Sequence, residues 1–363
     1  MRISFIGTRG VPASYSGFET CVEQVGARMA ALGHEVTVHC RRGHYRERPA
    51  AYRGMRLRYL PAIRQKHLDT LSHTLASALT LERDSAVVCM GVGNAPLVRA
   101  LELRGRRAVF NVDGADWQRD KWGRFASRYL ETSERLAAGG RSILVADAPA
   151  VQRYYRARYG RDTELVAYGA DPPADRGTAV PARFGLEPGA YLLFVGRLVP
   201  ENAAHDFLEG VRRSGVPATP VVVGDAPYAR DYIARLRAGA PPGTVFTGYQ
   251  FGPAYQQLTA HAGVFVLAAT VGGTHPVLVE QMAAGRCVLA RDTESNREVL
   301  GDAGLLWTTP GELAGQLRQV CAEPALRRRL GQAAGARAAA CYGWAQVTER
   351  YLALCAATLD RPE

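Results

Sequence analysis

Arginine, carboxylates and aromatic rings recur beside glycine in this sequence, each time just past a short apolar run. In Val195-Gly196-Arg197-Leu198-Val199-Pro200-Glu201-Asn202 the arginine offers a planar fork suited to phosphate oxygens, although a surface arginine after a strand fits the same residues. In the stretch from Val271 to Gly285 (VGGTHPVLVEQMAAG), Gly272 and Gly273 turn the chain and Pro276 can open a helix. Backbone N–H groups and the dipole at such a helix start favour a diphosphate. Glu280 lies about one turn further on and can accept both hydroxyls of a ribose. Its neighbours Val279 and Met282 point to partial burial. The run Gly7–Glu19 (GTRGVPASYSGFE) is a glycine-rich turn between strand and helix, open to an anion or merely flexible. Gly91-Val92-Gly93-Asn94 is a shorter turn of the same kind. Between Asn111 and Trp122 lie carboxylates, two cations and two tryptophans. Asp113 there can orient or deprotonate a hydroxyl, and Trp117 can stack on a sugar ring. An N-cap aspartate opening a helix with core tryptophans fits that stretch as well.

The elements that must position these residues follow from periodicity. Short apolar runs alternate with amphipathic stretches, the pattern of βαβ units. Strands are expected at Arg2–Gly7, Glu35–Cys40, Leu57–Leu60, Ala86–Cys89, Arg107–Asn111 and Ser142–Ala146. Val22, Val25, Met29, Ala30 and Leu32 recur near helical spacing, and Gly33 follows as a helix stop. The turn-rich stretch from Asp171 to Pro181 reads as a linker. The pattern then restarts, with strands at Ala190–Val195, Thr219–Val223, Val245–Gly248, Val264–Ala268 and Cys287–Ala290. Helices are expected at Asn202–Val211, Tyr228–Ala238 and Pro276–Ala284. Two α/β units of Rossmann type result, and ligands in such sheets bind beyond the carboxyl ends of the strands. Near the end of the chain, Trp344, Val347, Tyr351 and Leu354 recur at spacings that make one packed helical face.

Bulk properties exclude more than they identify. A length of 363 residues suits about two domains. No run approaches the roughly 18–20 apolar residues of a membrane span, and MRISFIG reads as a first strand rather than a signal peptide. A cytoplasmic location is expected. The seven cysteines are scattered with no CxxC spacing, and no convincing DxD pair is visible, so no metal site is expected. The net charge is +11. Arg41, Arg42, Arg46, Arg48, Arg53, Arg56, Arg58, Arg64 and Lys66 crowd one segment against a single acid, Glu47. That segment is a candidate contact for lipid phosphates or an anionic membrane. No nucleic-acid module accompanies it, so no nucleic-acid partner is expected.

Taken in order, these stretches resemble glycosyltransferase family four, retaining enzymes of the GT-B fold, over nearly the whole chain. That family carries a strand followed by GR(L/F)…K, and later E-G-F-G-…-E-A-M-A-x-G. Here VGRLVPEN and VGGTHPVLVEQMAAG stand in those places, followed by DTESNREVLGDAGLLW. GTRGVPASYSGFET, KHLDTLSHT and NVDGADWQRDKW are similar to its bacterial rhamnosyltransferase-like branch. The resemblance implies an α/β chain of two Rossmann-like domains facing across a cleft. Residues 1–172 would bind acceptor, residues 173–340 would bind nucleotide-sugar, and residues 341–363 would form a helix crossing back to the N-terminal domain.

The resemblance also implies roles. Arg197 would bind the donor diphosphate, Glu280 the ribose, and the backbone at Gly273, Thr274 and His275 the diphosphate and sugar. The Gly10–Gly17 loop would close over the donor, with Tyr249 and Gln250 near the base. Asp113 and Arg197 would serve catalysis, and His67, Trp117, Arg119 and Lys121 the acceptor. Two departures matter: the family's first Glu falls on Gly272, and its Lys on Asn202. The expected reaction moves a sugar, rhamnose or another deoxy sugar, from a dTDP-, UDP- or GDP-linked donor to a sugar or lipid-linked acceptor with retention. Polysaccharide, lipid-linked oligosaccharide or secondary-metabolite synthesis would use it. The donor is a substrate, and no other cofactor is expected. The Arg41–Lys66 segment would allow peripheral contact at the inner membrane face. A nucleotide-sugar epimerase of the same fold is one alternative. A binding subunit without turnover, motivated by Gly272 and Asn202, is the other.

Overall fold

The most apolar runs of the sequence become the centre of a parallel sheet. The computed structural model describes residues 1–13, 17–63, 65, 69–112 and 124–359. The first sheet uses β1 (Arg2–Ile6), β2 (Glu35–Arg41), β3 (Ala51–Tyr52), β4 (Met55–Leu60), β5 (Ser85–Met90), β6 (Ala108–Asn111), β7 (Ile143–Ala146) and β8 (Glu164–Leu165). Their order is β3-β4-β2-β1-β5-β6-β7-β8, parallel throughout except for the β3–β4 pair. Every residue of β5 is buried, as expected for a strand covered on both faces. The helices of this unit begin with α1 (Gly17–Ala31), α2 (Asp69–Leu79), α3 (Ala95–Leu103), α4 (Arg124–Ala138) and α5 (Pro149–Tyr159). Helix α1 buries Val22, Val25 and Met29. Gly33, with φ +86°, follows its end.

The second unit runs from Gly169 to Gly343. It contains α6 (Ala179–Arg183), β9 (Tyr191–Val195), α7 (Ala204–Ser214), β10 (Thr219–Val223), α8 (Arg230–Ala238), β11 (Val245–Gly248) and α9 (Gly252–His261). Then follow β12 (Val264–Leu267), α10 (Pro276–Ala283), β13 (Cys287–Arg291), α11 (Glu294–Leu300), β14 (Leu305–Trp307), α12 (Pro310–Ala322) and α13 (Pro324–Cys341). The strand order is β11-β10-β9-β12-β13-β14, with every pairing parallel. The order reverses between β9 and β12, the place where open α/β sheets leave a crevice for ligands. The helix after β9 starts later than its periodicity predicts. A 3-10 turn at Pro200–Asn202 and Ala203 at φ +49° intervene before α7.

The last helix, α14 (Trp344–Leu359), belongs with the first unit, which comprises Met1–Tyr168 and Trp344–Glu363. Its spacing of apolar residues explains why. Trp344, Val347, Tyr351 and Cys355 are buried in the same core cluster as β1 and α1, with Leu354 partly covered. Asn111 at the end of β6 donates its side-chain amide to the Tyr351 hydroxyl at 2.9 Å. The chain therefore returns to the first unit at its last helix.

Candidate functional site

The second unit carries residues singled out by chemistry at the carboxyl ends of its strands. Arg197 follows β9, His275 and Glu280 follow β12, and Tyr249 follows β11, all at carboxyl ends. Two of these loops flank the β9/β12 switch point and are tied to each other. The Glu201 carbonyl accepts from the Thr270 N–H at 3.1 Å and from its hydroxyl at 3.2 Å. Arg197 is half-buried. Its own carbonyl accepts from the Asn202 side-chain amide at 2.8 Å. Asn202 thus folds the arginine loop, whereas a lysine at this position would supply a charge.

At the β12 loop, Gly272 has φ +145°, a backbone that L side chains rarely adopt. The His275 ring lies against it, so a Cβ at Gly272 would stand 2.7 Å from the ring carbon Cε1. Gly273 and Thr274 are buried, and His275 is the residue capping the start of α10. Pro276 is the first residue of that helix and needs no N–H partner. The backbone donors of the first turn and the helix dipole give this end positive character.

Glu280 is half-buried on α10. Burial pushes its carboxyl up to about 7, against the opposing effect of a hydrogen bond from Tyr255. The Tyr255 hydroxyl on α9 donates to Glu280 Oε2 at 2.6 Å. Gln281 Nε2 donates to that hydroxyl at 3.3 Å and to Thr259 Oγ1 at 2.9 Å, so the tyrosine proton is directed at the glutamate. Burial first, then the neighbouring Glu280 charge, hold the Tyr255 hydroxyl well above its ordinary range, so it remains a donor. Oε1 of Glu280 has no partner among the described residues. Past β11, the Tyr249 and Phe251 rings stack with centroids 5.8 Å apart and planes at 21°. They remain 42% and 55% exposed, an open aromatic face. Gln250 is turned inward and donates to the Thr247 carbonyl at 3.0 Å.

Sequence reasoning missed Tyr255 and Phe251. Phe251 was within reach, as an apolar ring two residues from Tyr249. Nothing local marks Tyr255, because its link to Glu280 joins two helices.

In the first unit, Gly10 lies between β1 and α1, and Gly17 is the first residue of α1. Gly10 has φ +113°, and a Cβ there would stand 2.5 Å from Cys40 Sγ. Its N–H donates to Thr8 Oγ1 at 3.1 Å, and the Arg9 N–H donates to buried Glu19 at 3.2 Å. His67, Asp113, Trp117, Arg119 and Lys121 lie outside the described residues, as do Arg64 and Lys66. Within the basic segment, Arg41 is buried and its guanidinium meets Asp69 Oδ2 at 2.7 Å, so it is no part of an open patch. Arg42, Arg46, Arg48, Arg53 and Arg56 are exposed.

Known protein families match stretches in both units. Residues 16–169 match the family described as Glycosyl transferase 4-like domain, and residues 189–323 match Glycosyl transferases group 1. A GDP-mannose-dependent alpha-mannosyltransferase of Mycobacterium tuberculosis is 31% identical over 177 residues. That match covers 49% of this chain and 42% of the relative, so less than half of the relative's length is spanned. Sucrose-phosphate synthase from Thermosynechococcus elongatus superposes with a TM-score of 0.80 at 18% identity, covering 98% of this chain and 99% of that one. Anabaena HepE, solved in complex with UDP-glucose, superposes with a TM-score of 0.78 at 17% identity, covering 98% and 100%. The last two likenesses are of fold, and the fold is GT-B.

Proposed function

We propose that this pair of glycosyltransferase domains moves a sugar from a nucleoside diphosphate to an acceptor hydroxyl, with the donor held on the second unit. What supports the reading is that Arg197 follows β9 while the start of α10 and Glu280 follow β12, the two strands that flank the switch point. Arg197 and the helix end offer positive potential to a diphosphate. Its attraction for the leaving group grows as the glycosidic bond breaks and charge gathers there. Oε1 of Glu280 is open to a ribose hydroxyl while Tyr255 holds Oε2. The Tyr249–Phe251 face is open to a nucleobase. The backbone at Gly273, Thr274 and His275 lies nearest the diphosphate and sugar in this reading, and the loop from Gly10 to Gly17 closes over them.

The acceptor attacks from the face the nucleotide leaves, which retains configuration. Asp113 orients the acceptor hydroxyl, with the departing phosphate oxygen as proton acceptor. His67, Trp117, Arg119 and Lys121 contact the acceptor, a sugar or lipid-linked saccharide presented on the cytoplasmic side. Arg197 and the helix end supply the electrostatic role a metal would fill, so chelation by EDTA leaves turnover intact. The donor sugar in this reading is rhamnose or another deoxy sugar, because Gly272 brings no side chain to bind further hydroxyls.

A mass-spectrometric donor screen tests the proposal. dTDP-rhamnose comes first, and GDP-mannose and UDP-glucose, the donors named for relatives, are the comparisons. Transfer of a sugar residue to an acceptor, with release of nucleoside diphosphate, supports the reading. Nucleotide binding with no turnover on any donor and acceptor pair would replace it by a binding subunit.

A further inference from the structure

A carboxylate that takes both neighbouring hydroxyls of a ribose gives one oxygen to each, so both oxygens must be uncommitted. At Glu280 one is already committed. Tyr255 and Thr259 are four apart on α9 and so share a face. That face meets Glu280 and Gln281 of α10. The Tyr255 hydroxyl donates to Glu280 Oε2 at 2.6 Å, and Gln281 Nε2 donates to Thr259 Oγ1 at 2.9 Å. Gln281 is fully buried, and its amide also donates to the Tyr255 hydroxyl at 3.3 Å. With an amide hydrogen directed at the tyrosine oxygen, the tyrosine proton is left to the glutamate. An O–H···O⁻ bond of this length is of the strong, charge-assisted kind. It joins two helices, so their packing holds it.

Oε1 is the other half of the carboxylate. Among the described residues it has no partner, and it is not sealed from solvent. Glu280 therefore offers a nucleotide one free acceptor. A 2′-deoxyribose brings one hydroxyl, on its 3′ carbon, and Oε1 satisfies it. A ribose brings two, on adjacent carbons. With one on Oε1, the other is left to Oε2. There it shares an oxygen with the tyrosine proton, or gives up its water without a full partner.

We infer that Tyr255 selects the nucleoside sugar of the donor: by holding Oε2 it fits Glu280 to a 2′-deoxyribonucleoside diphosphate over the ribose counterpart. This rests on the donor reading, with Glu280 at the nucleoside sugar, and adds which nucleoside sugar is taken. Titration calorimetry of the full chain with UDP against dUDP, and with GDP against dGDP, isolates the 2′-hydroxyl, because base and phosphates are the same within each pair. The measurement is made at about pH 9, well above the Glu280 midpoint of about 7. Within a pair that binds, the deoxynucleotide is expected to bind about tenfold more tightly. Tyr255→Phe keeps the ring and frees Oε2, so it should bring the ratio within about twofold, chiefly by tightening the ribonucleotide. A merely structural tyrosine would weaken both members alike and leave the ratio unchanged, which overturns the inference. So does a wild-type ratio within about twofold, or a preference for the ribonucleotide; if Glu280→Ala still weakens both members, the donor reading stands without the discrimination. Failure of all four nucleotides to bind, or binding that Glu280→Ala leaves untouched, overturns the placement of Glu280 and this inference together.

Discussion

Glu280 gives the sharpest quantitative test of the donor site. Its carboxyl sits at about 7 because burial disfavours the charge. A ribose hydroxyl donates to the ionised form, so affinity belongs to the carboxylate and is lost as pH falls through that value. At one pH unit above about 7, roughly nine-tenths of the groups are charged; at one unit below, roughly one-tenth. Donor affinity should therefore drop about tenfold between about pH 8 and pH 6. Glu280→Gln should remove this dependence. At pH 8 it should also weaken binding by about 1.5–3 kcal/mol, the range for a hydrogen bond to a charged group. Tyr255→Phe removes the 2.6 Å hydrogen bond that partly offsets burial, so the midpoint should move upward. The assay is titration calorimetry with an intact nucleotide-sugar, which has no terminal phosphate titrating in this window. Affinity flat from about pH 6 to 8 in wild type, or a glutamine variant binding within about twofold, would refute the reasoning.

Other perturbations address the rest of the site and the fold. Arg197→Ala should cost on the order of 100-fold in kcat/KM, as for loss of one preorganised charge stabiliser; turnover within a few-fold of wild type, measured under the same donor, would remove Arg197 from the mechanism. Gly272→Glu places a side chain at φ +145° and 2.7 Å from the His275 ring, so chemical denaturation should show a loss of about 1–3 kcal/mol. The double variant with His275→Ala should recover part of that loss, because only the backbone strain remains. Without ligand, Glu280 holds its proton in the folded state across a range where the unfolded chain has released it. Stability should therefore fall as pH rises from the ordinary carboxylate range toward about 7, and differential scanning calorimetry should find Glu280→Gln gaining on wild type over that interval. Tyr351→Phe removes the hydroxyl that accepts from the Asn111 amide at the end of β6 and should lower stability by about 1 kcal/mol in denaturant titration.

The core strands were legible because a parallel strand buried on both faces writes a continuous apolar run, as in the six buried residues of β5. Strands β3 and β8 were not legible, since each is two residues long and exists only through its neighbour. The start of α7 was misplaced for a local reason. Asn202 has a side chain that prefers a nearby carbonyl, and it spends its amide on Arg197 before the helix begins. Arg197 and Glu280 stood out because glycine and proline punctuate strand ends, which is local information. Tyr255 did not, because nothing but tertiary packing brings α9 to α10.

The two departures from the family pattern bear on one question, whether the donor site is worn down or rebuilt. Relaxed selection would leave Gly272 and Asn202 as replacements with no new partners. Neither is of that kind. Gly272 adopts a backbone that a glutamate would strain, and the space a side chain would need is taken by the His275 ring. Asn202 holds the Arg197 loop through its carbonyl, a bond that a lysine side chain could make only by giving up its reach toward a phosphate. Meanwhile Arg197 keeps its place beside the switch point, and Glu280 is held by a tyrosine whose proton a glutamine directs. Gly272 is thus fitted to the His275 ring, and Asn202 to the Arg197 loop. These contacts support the proposal of a donor with fewer hydroxyls. It also sets the order of experiment: Gly272 and His275 must be changed together before any gain of hexose transfer is sought.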